Sequence, residues 1–308
     1  MIHICLTIDQ NYFDLAKLCI NTICSTKQKD TEVAFYILCN QVKHPEKFKI
    51  FERYNNVYVE AENYQDILNQ RLPVDVNYFA HVTRTCWMRY FIPNHRWFTN
   101  LERVLYLDAD AFAQKDLTPL YEIELNGKAL GVVKDFGKFR HHLKAGGTAA
   151  TFKHFNSGVL VMDLPKLRKL EFQEHCIMKT VISSSAHEFS SDQEVMNSFM
   201  QPHVQYLDPK FNLAPHFIWH SHDWFKSDMF SNITEWNKVY NCNYKSTYEL
   251  IFNSYIWHFN GDKIANQGSG RIRTYFEQAE LKLSEFEFYA LGKDIGEYLD
   301  VWKRVHPH

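Results

Sequence analysis

The feature that most narrows the fold is an alternation over the first sixty residues. Ile2 to Ile8 is a mostly apolar, β-branched run. It ends in Asp9-Gln10-Asn11-Tyr12. Apolar residues then recur at Tyr12, Leu15, Ala16, Cys19, Ile20 and Ile23, the three-to-four spacing of a helix. Val33 to Cys39 is a second apolar run and Val57 to Val59 a short third one. Between these two, Pro45 suits the first turn of a helix over Glu46 to Tyr54. Strand, helix, strand, helix, strand predicts parallel strands with helices on the faces, the architecture of a nucleotide-binding half. Crossovers of this kind are right-handed and bring the strand ends to one edge of the sheet, where ligands of open α/β sheets bind.

A second stretch gives that edge its chemistry. Arg103 to Asp116 reads RVLYLDADAFAQKD. Val104 to Leu107 reads as a buried strand of a parallel sheet, although periodicity alone does not separate so short a run from a helix. It stops at Asp108-Ala109-Asp110. Two carboxylates one residue apart point to the same side and repel each other. A divalent cation relieves that repulsion, and oxygen ligands select Mg²⁺ or Mn²⁺ with coordination positions left for phosphate. The alternative is a solvated acidic turn or a helix N-terminus, and the motif needs its context to decide.

The rest of the chain supplies more strand ends. Tyr64 to Phe79 is polar and aromatic. Val82 to Phe91 predicts a helix that Pro93 terminates. Ala129 to Val133 is a strand closing at Lys134-Asp135. Phe136 to Phe155, with His141-His142 and Gly146-Gly147, reads as irregular: a surface loop or a mobile cover over the site. Phe155-Asn156-Ser157-Gly158 leads into the strand Val159 to Met162, and Pro165 starts a helix after Asp163. Ser191 with Glu194 three residues on is a capping box, which sets Asp192 and Gln193 in a first helical turn. Tyr206 to Asn212 is loop-like. Ile251 to Asn260 predicts a last strand, and Ser284 opens a final long helix. With no linker or repeat, residues 1–265 read as one α/β domain and 266–308 as a C-terminal helical appendage.

Composition closes off other classes. A net charge of -2 over 308 residues gives no field for nucleic acid or a membrane surface. No apolar run approaches membrane-spanning length. The seven cysteines form no CxxC pair and lie largely in apolar runs, which predicts free thiols in a reducing compartment. The opening MIHICLTIDQ lacks the basic region of a secretory signal. The expected location is cytoplasmic, with a peripheral position at a membrane left open. The sequon at Asn232 is read as chance.

Taken together, the motifs resemble glycosyltransferase family 8, the retaining α-glycosyltransferases. The matching stretches are DQNY at Asp9, RYFIP at Arg89, VLYLDADAF at Asp108, VVKDF at Asp135, FNSGVLVMDL at Asn156, SDQEVMN at Gln193, KFN at Asn212 and WHFNG at His258. Eight motifs in the family's order, from residue 2 to about 263, are specific where any one is not. Within the family they resemble the bacterial lipopolysaccharide α-galactosyltransferase type. One departure stands out: Lys263 follows His258 by five residues where the family has six, and Ile-Ala replaces Pro-Trp. Arg271 or Arg273 is a substitute contact for the diphosphate.

The resemblance implies a GT-A fold, a nucleotide-binding mixed sheet flanked by helices. It implies Mn²⁺ (or Mg²⁺) held by Asp108, Asp110 and His258. The donor would be UDP-galactose or UDP-glucose, bound by Ile8, Asp9, Asn11 and Tyr12 at the base and ribose. Arg89, His81, Ala109, Ser157, Gly261 and Lys263 would serve the diphosphate and sugar. Asp135, Asn156 and Asp192 would read sugar hydroxyls, with Gln193 nearest the anomeric carbon. An amide is a poor nucleophile, so a front-face displacement fits better than the two-carboxylate route of glycosidases. The acceptor would be a saccharide hydroxyl, as in lipopolysaccharide. Alternatives are a non-catalytic UDP-sugar-binding protein, a self-glucosylating glycogenin-like enzyme, and a metal phosphohydrolase.

Overall fold

The structure is a computed structural model that describes residues 1–72, 84–185, 191–214 and 233–258. Strand β1 (Ile2–Asp9) is followed by α1 (Phe13–Thr26), β2 (Val33–Asn40) and β3 (Val57–Asn63). Then come α2 (Gln65–Arg71), β4 (Arg103–Leu107), β5 (Ala111–Ala113), α3 (Thr118–Tyr121) and β6 (Leu130–Lys134). Helix α4 (Phe136–Lys144), β7 (Phe155–Asp163), α5 (Leu164–Lys169), α6 (Phe172–Ser185) and α7 (Asp192–Met200) follow. The described chain closes with β8 (Val204–Tyr206), α8 (Ile233–Tyr240), α9 (Thr247–Asn253) and β9 (Ile256–His258).

Seven strands form one mixed sheet in the order β3-β2-β1-β4-β7-β6-β8. β1 pairs β2 in parallel along its whole length, from Ile2↔Val33 to Asp9↔Asn40, and β4 in parallel at Ile4↔Leu105. β7 runs antiparallel between β4 and β6. The central strands β1, β4, β6 and β7 are buried on both faces, which is why they read as near-continuous apolar runs, whereas edge strand β3 alternates buried and exposed residues. Ile4, Leu6 and Ile8 of β1 face one core with Leu105 and Leu107 of β4. Cys5, Val104 and Tyr106 face the other.

Several local expectations change. The segments at Pro45–Arg53 and Arg84–Asn94 are 3₁₀ rather than α. In the first, the buried residues are Phe48 and Phe51, three apart, which matches three residues per turn. In the second, Pro93 lies inside the helical segment instead of ending it. Proline has no N–H for either ladder, and one residue before the segment's end at Asn94 only a single bond is forgone. Residues 136–144, expected to be irregular, form α4, whose Phe136 and Phe139 are buried. Of the predicted strand over Ile251 to Asn260, the part up to His258 is the end of α9 followed by the three-residue β9, with Ser254 capping the helix between them, and the last two residues lie outside the described residues. The predicted helix after Ser284, and so the appendage at 266–308, lies outside the described residues.

Candidate active site

The antiparallel insertion of β7 builds the site. β1, β4 and β6 all end at one edge of the sheet, while β7 begins there. Residues Asn156, Ser157 and Gly158 therefore lie beside the acid turn, and the Asp108 amide donates to the Gly158 carbonyl at 2.8 Å. The turn is tight, with the Ala111 amide on the Asp108 carbonyl at 3.1 Å. Cys19 of α1 donates to the Ala111 carbonyl at 3.0 Å. The small second sheet then pairs Ala111 of β5 with His258 of β9.

Asp108, Asp110 and His258 thus converge from two strand ends. Each offers one ligand atom, and those atoms lie within 4.8 Å of one another. His258 Nε2 stands 3.2 Å from Asp110 Oδ1 and 3.7 Å from Asp108 Oδ2. Burial works against charge on the imidazole, but Asp110 and Asp108 outweigh it and raise its pKa. Burial likewise opposes ionisation of Asp108, and Arg89 with His258 and the Tyr106 hydroxyl reverses that and lowers its pKa. The donor set of two carboxylates and one imidazole nitrogen fits Mn²⁺ or Mg²⁺. Gly158 is the floor of this cluster: a Cβ there would fall 2.1 Å from His258 Cε1 and 2.6 Å from Asp108 Oδ2.

Arg89 is the buried cation of the site. Its Nη2 pairs with Asp108 Oδ1 at 3.0 Å and its Nε with Asp192 Oδ2 at 3.2 Å. Nη1 donates to the Ser157 carbonyl and hydroxyl at 2.7 and 3.0 Å. The guanidinium lies 4.4 Å from the centre of the Tyr106 ring. A buried charge is tolerable only when paired and bonded in this way. Tyr106 in turn donates to Asp108 Oδ1 at 2.6 Å and meets Thr7 Oγ1 at 2.9 Å. Asp192 also accepts from the Ser157 hydroxyl, yet burial still raises its pKa.

A file of side-chain amides runs away from His258. Its Nδ1 is 3.0 Å from Asn212 Oδ1. Asn212 Nδ2 donates to Asn156 Oδ1, Asn156 Nδ2 to Gln193 Oε1, and Gln193 Nε2 to Asp135 Oδ2, at 2.9, 3.2 and 2.8 Å. Asp135 occupies the N-cap position of α4 without making a side-chain cap bond; its carboxylate is held by Gln193. Ser191 caps α7 as the capping box predicts, accepting from the Glu194 amide.

At the end of β1, Asp9 Oδ1 accepts from the amides of Asn11 and Tyr12 at 2.9 and 3.3 Å, so it caps the 3₁₀ turn there. Ile8 and Ala109 are buried in the core beside this turn. Burial raises the Tyr12 phenol, and Asp110, Asp108 and Asp9 add to the rise. Among the predicted residues, contacts link Arg89, Asp108, Asp110, Asp135, Asn156, Ser157, Asp192, Gln193 and His258, while Ile8, Asp9, Asn11 and Tyr12 stand at the end of β1 and Ala109 is buried within the acid turn. His81, Gly261, Lys263, Arg271 and Arg273 lie outside the described residues. Tyr106 and Gly158 have no role assigned from sequence, because both sit inside strands that read as core or lead-in; Asn212 anchors the KFN stretch, but in a segment read as loop it too has no assigned role.

The family model described as glycosyl transferase family 8 matches residues 3–263. The chain belongs to that family. Relatives of the chain include general stress protein A of Bacillus subtilis (strain 168), 23% identical over 69% of this chain and 73% of its own length. Glycosyltransferase GlyF of Streptococcus pneumoniae is 28% identical over 62% of this chain and 44% of that protein. Lipopolysaccharide 1,2-glucosyltransferase of Escherichia coli (strain K12) is 29% identical over 36% of this chain and 33% of its own. The chain thus spans less than half of the latter two relatives. Among solved structures, the galactosyltransferase LgtC in complex with donor and acceptor sugar analogues superposes with a TM-score of 0.63 at 20% identity, covering 91% of this chain and 96% of that one. Mouse xyloside xylosyltransferase 1 superposes with a TM-score of 0.58 at 14% identity, covering 84% and 98%. The fold of this family 8 chain is therefore that of the GT-A glycosyltransferases. No helix among the described residues is long and apolar enough to cross a membrane.

Proposed function

We propose that this family 8 chain is a metal-dependent retaining hexosyltransferase. It moves galactose or glucose from a UDP-sugar to a saccharide hydroxyl with an α-glycosidic product. The observation that carries the reading is the convergence of Asp108, Asp110 and His258 with Arg89 and the Gln193–Asp135 pair at one sheet edge. The relationship to a lipopolysaccharide glucosyltransferase and the likeness to a galactosyltransferase fold support the donor and acceptor classes.

Asp108, Asp110 and His258 would hold Mn²⁺ or Mg²⁺, which supplies Lewis acidity to the departing diphosphate. Asp9, Asn11, Tyr12 and Ile8 receive the uracil and ribose at the end of β1. Arg89 lends positive charge to the phosphate and sugar side. Asp135, Asn156 and Asp192 orient sugar hydroxyls by charge-assisted and amide bonds. Gln193 Oε1 already accepts from Asn156 and the Ser157 amide, which suits positioning better than attack. The bond between the anomeric carbon and the β-phosphate oxygen breaks. The acceptor oxygen bonds that carbon from the same face, and its proton passes to the departing phosphate. The protein contributes preorganised charge and orientation. Seven free cysteines fit a reducing, cytoplasmic location.

The test is incubation with UDP-galactose and UDP-glucose plus Mn²⁺, without acceptor. The reading predicts slow release of UDP from one donor that EDTA abolishes. Nucleotide binding without turnover identifies a non-catalytic UDP-sugar-binding protein instead, and sugar appearing on a tyrosine of the protein identifies self-glucosylation.

A further inference from the structure

We infer that Asn212 is a positioning residue: it fixes the ring orientation and tautomer of His258 and joins the cation ligands to the amides that face the sugar. This rests on the reading of Asp108, Asp110 and His258 as cation ligands. His258 is 2% exposed and Asn212 is 7% exposed, so water does not compete freely for the ring nitrogen. The His258 amide donates to the Leu213 carbonyl and the Leu213 amide to the Ile256 carbonyl, at 2.8 and 3.0 Å. That backbone clamp sets Asn212 beside the imidazole.

The orientation of the amides follows from backbone donors. The Gly158 N–H donates to Asn156 Oδ1 at 2.9 Å, so that atom is an acceptor. Asn212 must then present Nδ2 to it, and its Oδ1 to the imidazole. The Ser157 N–H fixes Gln193 Oε1 as an acceptor in the same way, so Gln193 presents Nε2 to Asp135. An oxygen facing His258 Nδ1 requires a proton on Nδ1. The lone pair is thereby left on Nε2, the atom that faces Asp108 and Asp110. Ligating histidines are held by partners of this kind. Every donor in the file points from His258 toward Asp135, so each bond polarises the next.

Two variants separate the two roles. Asn212→Leu removes both the acceptor and the donor. Asn212→Asp keeps an acceptor for Nδ1 and loses the donor to Asn156. The first readout is the Mn²⁺ dissociation constant in saturating UDP, followed by electron paramagnetic resonance. Asn212→Leu weakens it about 10- to 100-fold, while Asn212→Asp stays at or above wild-type affinity. The second readout is UDP-sugar turnover, where Asn212→Asp lowers kcat with little change in KM. Wild-type affinity in folded Asn212→Leu, or Asn212→Asp binding as weakly as Asn212→Leu, overturns the inference. Should Asn212→Leu not fold, imidazole ¹⁵N shifts of the wild-type protein with Mg²⁺ and UDP decide. Protonated Nδ1 of His258 supports the assignment and protonated Nε2 overturns it. A wild-type protein that binds no Mn²⁺ with UDP removes the cation reading itself, and this inference with it.

Discussion

At the scale of single residues, the site depends on one missing side chain. Gly158 lets the β7 backbone approach Asp108 and His258 so closely that a Cβ would overlap the imidazole. The ring cannot swing aside without breaking its bond to Asn212. Gly158→Ala is therefore expected to lower Mn²⁺ affinity at least about tenfold, comparable to losing a supporting contact of a ligand. Titration of Mn²⁺ on the folded variant checks this, and an unchanged affinity would contradict the geometry. The acid pair itself was legible in the sequence only in context, because acidic pairs are common in turns and this one closes an apolar run among other matching motifs. The contacts of Tyr106 and Asn212 were not. Tyr106 lies in that same apolar run and reads as core, yet its hydroxyl reaches Asp108. Asn212 gains its meaning only when Leu213 aligns with β9.

At the scale of elements, the central strands were legible because burial on both faces makes them continuous apolar runs. The pitch of the helical segments was not. Phe48 and Phe51 fit both windings in a sequence, and packing chose the tighter one. Gly137, the paired histidines and Gly146-Gly147 masked α4. Its end carries the expected sign, since Gly146 adopts φ +82° just past the helix. Ser246 caps α9, with the Glu249 amide on its Oγ, a capping box that the reading of a strand from Ile251 passes over. Helices α4 and α7 flank the Asp135–Gln193 pair and are joined through Glu194, which meets Lys138 and His154, each at 2.9 Å. The His154 contact, with Lys138, lowers the Glu194 pKa from 4.5 to about 2. A carboxylate with a depressed folded-state pKa stabilises the fold above its unfolded value and loses that contribution as pH falls toward the folded one. Glu194→Gln should therefore unfold at a lower temperature than wild type at pH 6. The gap should close as pH falls from about 4.5 to about 2. A gap that stays constant across that range, or is absent at pH 6, would show that the contact does not join the helices.

At the scale of the whole molecule, topology places chemistry that no local stretch contains. Parallel β1 and β4 deliver Asp9 and Asp108 to one edge, antiparallel β7 returns Asn156 to Gly158 to it, and β9 brings His258 from 150 residues further along. The motifs are consequently scattered in sequence and adjacent in space. The order of motifs was enough to indicate the family, whereas the amide file and the Gly158 floor required the pairing of strands. The central claim is that Asp108, Asp110 and His258 hold a cation against the donor diphosphate. Anomalous diffraction at the manganese edge, from crystals soaked in Mn²⁺ and UDP, tests it most directly. The account predicts one strong peak between the two carboxylates and Nε2 of His258, in contact with diphosphate oxygens. Bound UDP with no peak there, or a peak held by other residues, would contradict it.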